Sequence, residues 1–240
     1  MADLSKIKVL AFDVGGTVVD WHTGVSNHLA SYGLEHSIDA DWIAVTKAWR
    51  TASLTQALNS RTDDLPRGNM DGVLRETLDT VFADSGLESI PAKDRDAMVW
   101  YWHHLDAWPD AAEGHARLAT KYLMSTLTIL SLRLIIDVSR RAPFHWDSVI
   151  SCEMLDAYKL DPLPYREAPR LLQVEAEEVL MVAAHRLDLE AGHREGLRTA
   201  FIHRPTEWGV GTTPTPEAGD FVDIEARDLN DLADRLGCDT

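Results

Sequence analysis

The chain is short of cysteine, of positive charge and of long apolar runs, and each shortage closes off a class of protein. Two cysteines in 240 residues, Cys152 and Cys238, make no disulfide framework, and neither stands at a metal-ligand spacing. Lys and Arg total 23 against 39 Asp and Glu, a formal net charge of −16. Nucleic acid and anionic membranes both require clustered Lys and Arg, so neither is an expected partner. A small anionic substrate stays compatible, because it responds to the local field of a site. No uncharged apolar stretch reaches the length of a membrane span; the best candidate, residues 123–132, is interrupted by Ser and Thr. The opening Met-Ala-Asp-Leu-Ser-Lys lacks the basic, apolar, small-residue order of a signal peptide. A soluble protein of the reducing cytoplasm is the resulting expectation.

What is present is ordinary for a globular chain: 45% apolar and 26% charged residues, enough for a substantial core. The length suits one large domain, or a core carrying an inserted one. Residues 8–20 read Lys-Val-Leu-Ala-Phe-Asp-Val-Gly-Gly-Thr-Val-Val-Asp. An apolar run that ends in a turn is the pattern of a strand buried on both faces. Asp13 then falls at the strand's carboxyl end, where open α/β sheets place their ligands. Gly15 and Gly16 permit a tight turn and leave amide N–H groups free to face an anion.

Beyond this strand the apolar period changes. Trp42, Val45, Trp49 and Ala52 recur at helical spacing, as do Met70, Val73, Leu74, Thr77, Leu78 and Val81; Met98, Trp102 and Leu105 predict a third helix. Residues 21–108 thus read as all-helical, with six of the eight tryptophans in or at the edge of the block, an aromatic content expected to pack between helices. From Trp108 strand and helix alternate. Asp110 with Glu113 predicts a capping box, and strands are expected at 122–127, 148–152, 178–183, 199–203 and 221–224. Ser131 is placed to cap a helix through Arg141, and Asp161-Pro162 to open another. Pro169 is expected to kink or end that helix. A helix at 187–195, a loop at 208–219 and a closing helix at 228–237 complete the chain. Repeated β-then-α units imply a mostly parallel sheet with right-handed crossovers.

In such a sheet Asp13, Thr128, Lys159 and Asp188 follow four successive strands and share one edge. A carboxylate faced by backbone amides, a lysine and a second carboxylate is an arrangement for nucleophilic catalysis. Lys159 would keep Asp13 ionised.

Three motifs in order carry a family resemblance. Phe12-Asp13-Val-Gly-Gly-Thr17-Val-Val-Asp20, Ala157-Tyr158-Lys159-Leu160-Asp161-Pro162 and Val182-Ala183-Ala184-His185-Arg186-Leu187-Asp188-Leu189 resemble the first, lysine and acidic motifs of the haloacid dehalogenase superfamily, in its (S)-2-haloacid dehalogenase branch. The resemblance spans nearly the whole chain. It implies an α/β fold: a Rossmann-like three-layer core with a parallel sheet (residues 1–20 and 109–240) and an inserted all-helical cap domain (21–108).

The resemblance also implies a chemistry. The first aspartate attacks the carbon bearing the leaving group, forms an ester, and is freed by hydrolysis at its own carboxyl carbon. Asp13 takes the nucleophile's place, Lys159 that of its charge partner, and Asp188 with His185 that of a water-positioning pair, while Thr17 braces the loop. Val14, Gly15, Trp21, Arg50, Thr128, Ile129 and Tyr165 take substrate-binding places, Arg50 being the cap arginine that meets the halide. Phosphatases of the superfamily carry a second aspartate where this chain has Gly15, so phosphoryl transfer is disfavoured and neither a metal nor another cofactor is expected. Three positions depart from the branch: Gly15 replaces an aromatic, Thr128-Ile129 replaces Ser-Asn, and His185 stands where some members have asparagine. Ile129 removes an amide that cradles the departing halide. The expected activity is displacement at C2 of a short 2-substituted carboxylic acid. The same chemistry on a strained cyclic amino acid such as azetidine-2-carboxylate, and ligand binding without turnover, are the alternatives. A small carboxylate is the expected partner, with a homodimer left open.

Overall fold

A computed structural model of the chain describes residues 4–211 and 218–238. Its centre is a six-stranded sheet in the order β3-β2-β1-β4-β5-β6, parallel throughout. The strands are β1 (Val9–Phe12), β2 (Leu123–Thr128), β3 (Ser148–Ser151), β4 (Val179–Ala183), β5 (Arg198–Ile202) and β6 (Ile224–Ala226). Side chains alternate across a strand, so the apolar run of β1 feeds two cores at once. Leu10 and Phe12 pack on one face of the sheet, Val9 and Ala11 on the other. On the first face lie α5 (Ala111–Leu118), α6 (Leu132–Arg141) and α9 (Leu229–Arg235). On the second lie α7 (Pro162–Leu172) and α8 (Arg186–Arg194).

Between β1 and α5 the chain inserts the helical cap: α1 (Trp21–His36), α2 (Trp42–Ala57), α3 (Met70–Asp84), α4 (Ala92–Met98) and a 3-10 segment, Val99–His104. Its core is aromatic. Trp21 stacks on Trp102 at 6.1 Å, and Trp49 meets Trp102 edge-on at 5.5 Å. The Trp49 indole donates to the Leu74 carbonyl at 2.8 Å, so its own polar group is satisfied on burial. The chain leaves and re-enters the core along paired backbone: Asp20 N–H donates to Asp106 O and Trp108 N–H to Val18 O.

Several local expectations are corrected. The third helix of the cap is not one α-helix, because α4 ends at Met98 and the aromatic segment after it winds as 3-10. The Asp110–Glu113 capping box does not form. Asp110 instead takes a two-pronged contact from Arg204, Nη1 to Oδ1 at 2.7 Å and Nη2 to Oδ2 at 2.8 Å, a stronger use of the carboxylate than a cap. Pro169 does not end α7, which continues to Leu172 and closes at Gln173 in the left-handed region. The last strand pairs at 224–226, later than the 221–224 run, since Asp223 turns its carboxylate onto the Thr199 amide at 2.9 Å before the ladder begins. Ser131, Asp161 and Asp228 cap α6, α7 and α9 through their side chains. Within the 208–219 loop, residues 212–217 lie outside the described residues. Among the described residues no helix is long and apolar enough to cross a membrane.

Candidate active site

The site grows from the turn after β1. Val18 and Val19 N–H both donate to Val14 O, which folds residues 14–19 back on themselves. Gly16 makes this possible: its φ is +96°, and a Cβ there would lie 2.1 Å from Glu207 Oε1. The turn sets Thr17 above Asp13. Thr17 Oγ1 donates to Asp13 Oδ2 at 2.7 Å and accepts from Ala184 N–H at 2.9 Å, so one hydroxyl ties the loop after β1 to the loop after β4. Arg204 adds a second brace by donating to Thr17 O at 2.9 Å.

Lys159 arrives from the loop after β3. Its backbone is pinned by the cap: Asn59 N–H donates to Lys159 O, and Tyr158 N–H to Ser60 O. Leu160, in the left-handed region at φ 74°, turns the chain toward α7. The Lys159 ammonium donates to Asp13 Oδ1 at 2.7 Å and to Asp188 Oδ2 at 2.6 Å. Tyr165, one turn into α7, donates to the other Asp188 oxygen at 2.7 Å. Strands β1, β3 and β4, parallel and close in the sheet, thus bring Asp13, Lys159 and Asp188 into one buried cluster.

On the other side of Asp13 stands His185, half-buried, with Nδ1 3.0 Å from Asp13 Oδ2 and Nε2 2.9 Å from Glu207 Oε1. Glu207 is buried in the loop after β5 and also accepts from the Trp21 indole at 2.9 Å. Above them, Arg50 of α2 is buried, its guanidinium 5.4 Å from the Trp21 ring and 5.7 Å from the Trp102 ring. It donates from Nη2 to Gly15 O at 3.3 Å, while Nε and Nη1 have no hydrogen-bond partner.

These groups border a cavity of about 540 Å³ between cap and core. Asp13, Lys159, His185, Asp188, Glu207 and Arg50 supply its polar wall, and Leu54, Leu58, Ile129, Leu160, Pro205 and Trp208 much of its apolar one. The sequence-predicted residues divide accordingly. Asp13, Lys159, Asp188, His185, Arg50 and Ile129 border the cavity. Thr17 and Tyr165 stand behind it, holding Asp13 and Asp188. Val14 and Trp21 are buried in support of the loop and of Glu207, and Gly15 offers its carbonyl to Arg50. Thr128 is not brought to the cavity wall: it is buried, and its hydroxyl accepts from Leu130 N–H at 3.2 Å. Glu207 and Arg204 were missed by sequence reasoning. Following strand ends one strand further, past β5, reaches both.

The charged groups of the cluster act on one another at hydrogen-bond range. Burial alone would raise Asp13, but Lys159 and His185 overcome it and hold the carboxyl far below its usual range. Burial would likewise depress Lys159, yet Asp13 and Asp188 raise it and keep the ammonium charged. Burial raises Asp188, Lys159 partly offsets this, and the like charge of Asp13 adds to it. His185, which burial would lower, is pushed up to about 10 by Glu207 and Asp13. Among the described residues no group of three or more His, Cys, Asp or Glu is placed to hold a metal ion.

An ionised carboxylate bordering a half-apolar cavity, with the Lys159 ammonium on one oxygen and the Thr17 hydroxyl and His185 on the other, is equipped to attack an electrophilic carbon. The chain resembles known proteins in sequence and in fold. No protein-family model matches the chain. It is 26% identical over 209 residues to (S)-2-haloacid dehalogenase 1 of Pseudomonas sp. (strain CBS-3), covering 84% of this chain and 86% of that protein. The crystal structure of a defluorinating L-2-haloacid dehalogenase matches with a TM-score of 0.88 at 33% identity, over 97% of this chain and 96% of the other. A second L-2-haloacid dehalogenase matches with a TM-score of 0.87 at 30% identity, over 96% and 99%. At that identity and coverage the chain belongs to the L-2-haloacid dehalogenases of the haloacid dehalogenase superfamily.

Proposed function

We propose that the protein hydrolyses (S)-2-haloacids through an ester on Asp13, with residues 21–108 as the cap and 1–20 with 109–240 as the core. The observation that carries this reading is one cavity lined by both the Asp13 carboxylate and the buried Arg50 guanidinium. In-line displacement needs a nucleophile on one side of carbon and a receptor for the leaving anion on the other. Asp13 attacks C2, the new C–O bond forms as the carbon–halogen bond breaks, and the halide departs with the electron pair toward Arg50. Water then adds to the Asp13 carboxyl carbon. Asp188, with lone pairs beyond those used by Lys159 and Tyr165 and a raised pKa, accepts the proton of this water. Collapse of the adduct expels the 2-hydroxyacid, whose oxygen takes up a proton, and regenerates the Asp13 carboxylate. One proton passes to solvent in each turnover.

The Ile129 side chain, on the cavity wall, cannot hydrogen-bond a halide, so Arg50 carries more of the leaving group here. The same feature motivates the amine-releasing alternative on a strained cyclic amino acid. A panel of (S)-2-chloro-, bromo- and fluoroacids and azetidine-2-carboxylate, read by halide and amine release, separates the two. A single turnover in ¹⁸O water tests the ester. Label is expected first in Asp13 and only later in product; labelled product with unlabelled enzyme would show direct attack by water.

A further inference from the structure

We infer that Glu207 is a positioning residue which holds His185 as an imidazolium against Asp13, so that its N–H supports the oxyanion formed when the ester is hydrolysed. Nδ1 and Nε2 of His185 each face a carboxylate oxygen, at 3.0 and 2.9 Å. A neutral imidazole has one N–H and one lone pair, so one of these contacts would set a lone pair against a carboxylate. The imidazolium satisfies both. Glu207 is what makes the second contact anionic.

The fold is arranged to place that carboxylate. Glu207 is buried, and its Oε1 is fixed from the cap side by the Trp21 indole. The turn beneath carries Gly16, where any Cβ would run into the Glu207 carboxylate. Asp13, from the loop after β1, and Glu207, from the loop after β5, are the charges that contact the ring. Lys159 and Asp188 contact each other and, through Lys159, Asp13; Arg50 of α2 acts electrostatically on Glu207 and Asp13.

A cationic His185 has no lone pair with which to take a proton from water, so it is not a second base beside Asp188. Its position fits another task. Nδ1–H and the Thr17 hydroxyl both point at Asp13 Oδ2. When the ester is made through Oδ1, Oδ2 is its carbonyl oxygen, and negative charge gathers there as water adds. Alkylation also removes the charge of Asp13, one of the two anions that keep His185 protonated. Glu207 then keeps the proton in place through the second half-reaction.

This assignment rests on the ester route for its kinetic consequence but not for its first test. In the unsubstituted enzyme with ¹⁵N-labelled histidine, the His185 resonances, assigned by their loss in His185→Asn, should report an imidazolium at pH 8. A neutral tautomer at that pH would overturn the inference whatever the enzyme turns over. The second test is Glu207→Gln, which keeps the acceptor for Trp21 and removes the charge. Halide should appear in a burst followed by a slower steady state, with the Asp13 ester accumulating in the intact-protein mass. The steady rate should begin to fall near neutrality, roughly tenfold per pH unit, where the unsubstituted enzyme holds its rate to about pH 9. A uniform loss with an unshifted pH profile would mean that Glu207 is merely structural.

Discussion

Arg50 shows how a single residue takes its meaning from its surroundings. On sequence it is one basic position in a helix that also carries Lys47. In the structure the guanidinium is buried beside the stacked Trp21 and Trp102 rings, with Glu207 and Asp13 within electrostatic reach. A guanidinium stays charged when buried, and Arg50 is the cap cation that lines the cavity. The planar fork matters as much as the charge, because it lies close to both rings while one prong donates to the Gly15 carbonyl. Arg50→Lys keeps the charge and loses the fork. Its kcat/KM for a 2-chloroacid should fall roughly 10–100-fold, with the thermal midpoint followed as a control for folding. Undiminished turnover would remove Arg50 from the leaving-group role. Lys159 and Asp188 were readable from sequence because strand ends in a parallel sheet converge. Glu207 was not, because a lone acid in a Pro-Thr-Glu-Trp loop resembles a solvated turn until Trp21 and His185 are seen to close on it.

At the scale of elements, periodicity located α2 and α3 but passed over α1, and it placed the edge of the sheet poorly. The central strands β1 and β4 are apolar runs bounded by clear turns, and their positions follow from burial on both faces. β6 is an edge strand of three residues, too short to impose a period, and the Phe221-Val222 pair before it packs on the core without entering the ladder. Asp110 is a second instance: a capping box is a local pattern, and the distant Arg204 outcompetes it. Helix packing supplies a further constraint invisible in sequence. α5 crosses α9 so closely at Gly114 that a Cβ there would lie 2.6 Å from both the backbone carbon and the Cβ of Leu229. Gly114→Ala must therefore push α9 off the sheet, against the gain in helix propensity that alanine would bring elsewhere. Urea unfolding should show a loss of about 1–3 kcal/mol. The kcat should be unchanged, since neither helix borders the cavity.

Two histidines of opposite character give the whole molecule a predictable response to pH. His115, buried among Phe12, Phe144 and Trp146 with Nε2 lacking a partner, is pushed down to about 4, chiefly by burial. In the unfolded chain it titrates near 6.5. Between those values the unfolded state binds the extra proton, so acidification from pH 6.5 to 4 costs stability. His185 works in the other direction. Its folded value of about 10 lies above 6.5, so the folded state holds the extra proton in between. Its contribution is complete below pH 6.5 and is lost as pH rises toward 10. Together they predict a stability maximum near pH 6.5, above the sequence pI of about 4.9. Thermal midpoints taken from pH 5 to 9.5 should trace two descending limbs that can be removed separately. His115→Leu should flatten the acid limb and leave the alkaline one, while Glu207→Gln should flatten the alkaline limb and leave the acid one. An alkaline limb that persists unchanged in Glu207→Gln would mean that the extra proton does not reside on His185, and the maximum would then need another titrating group to account for it.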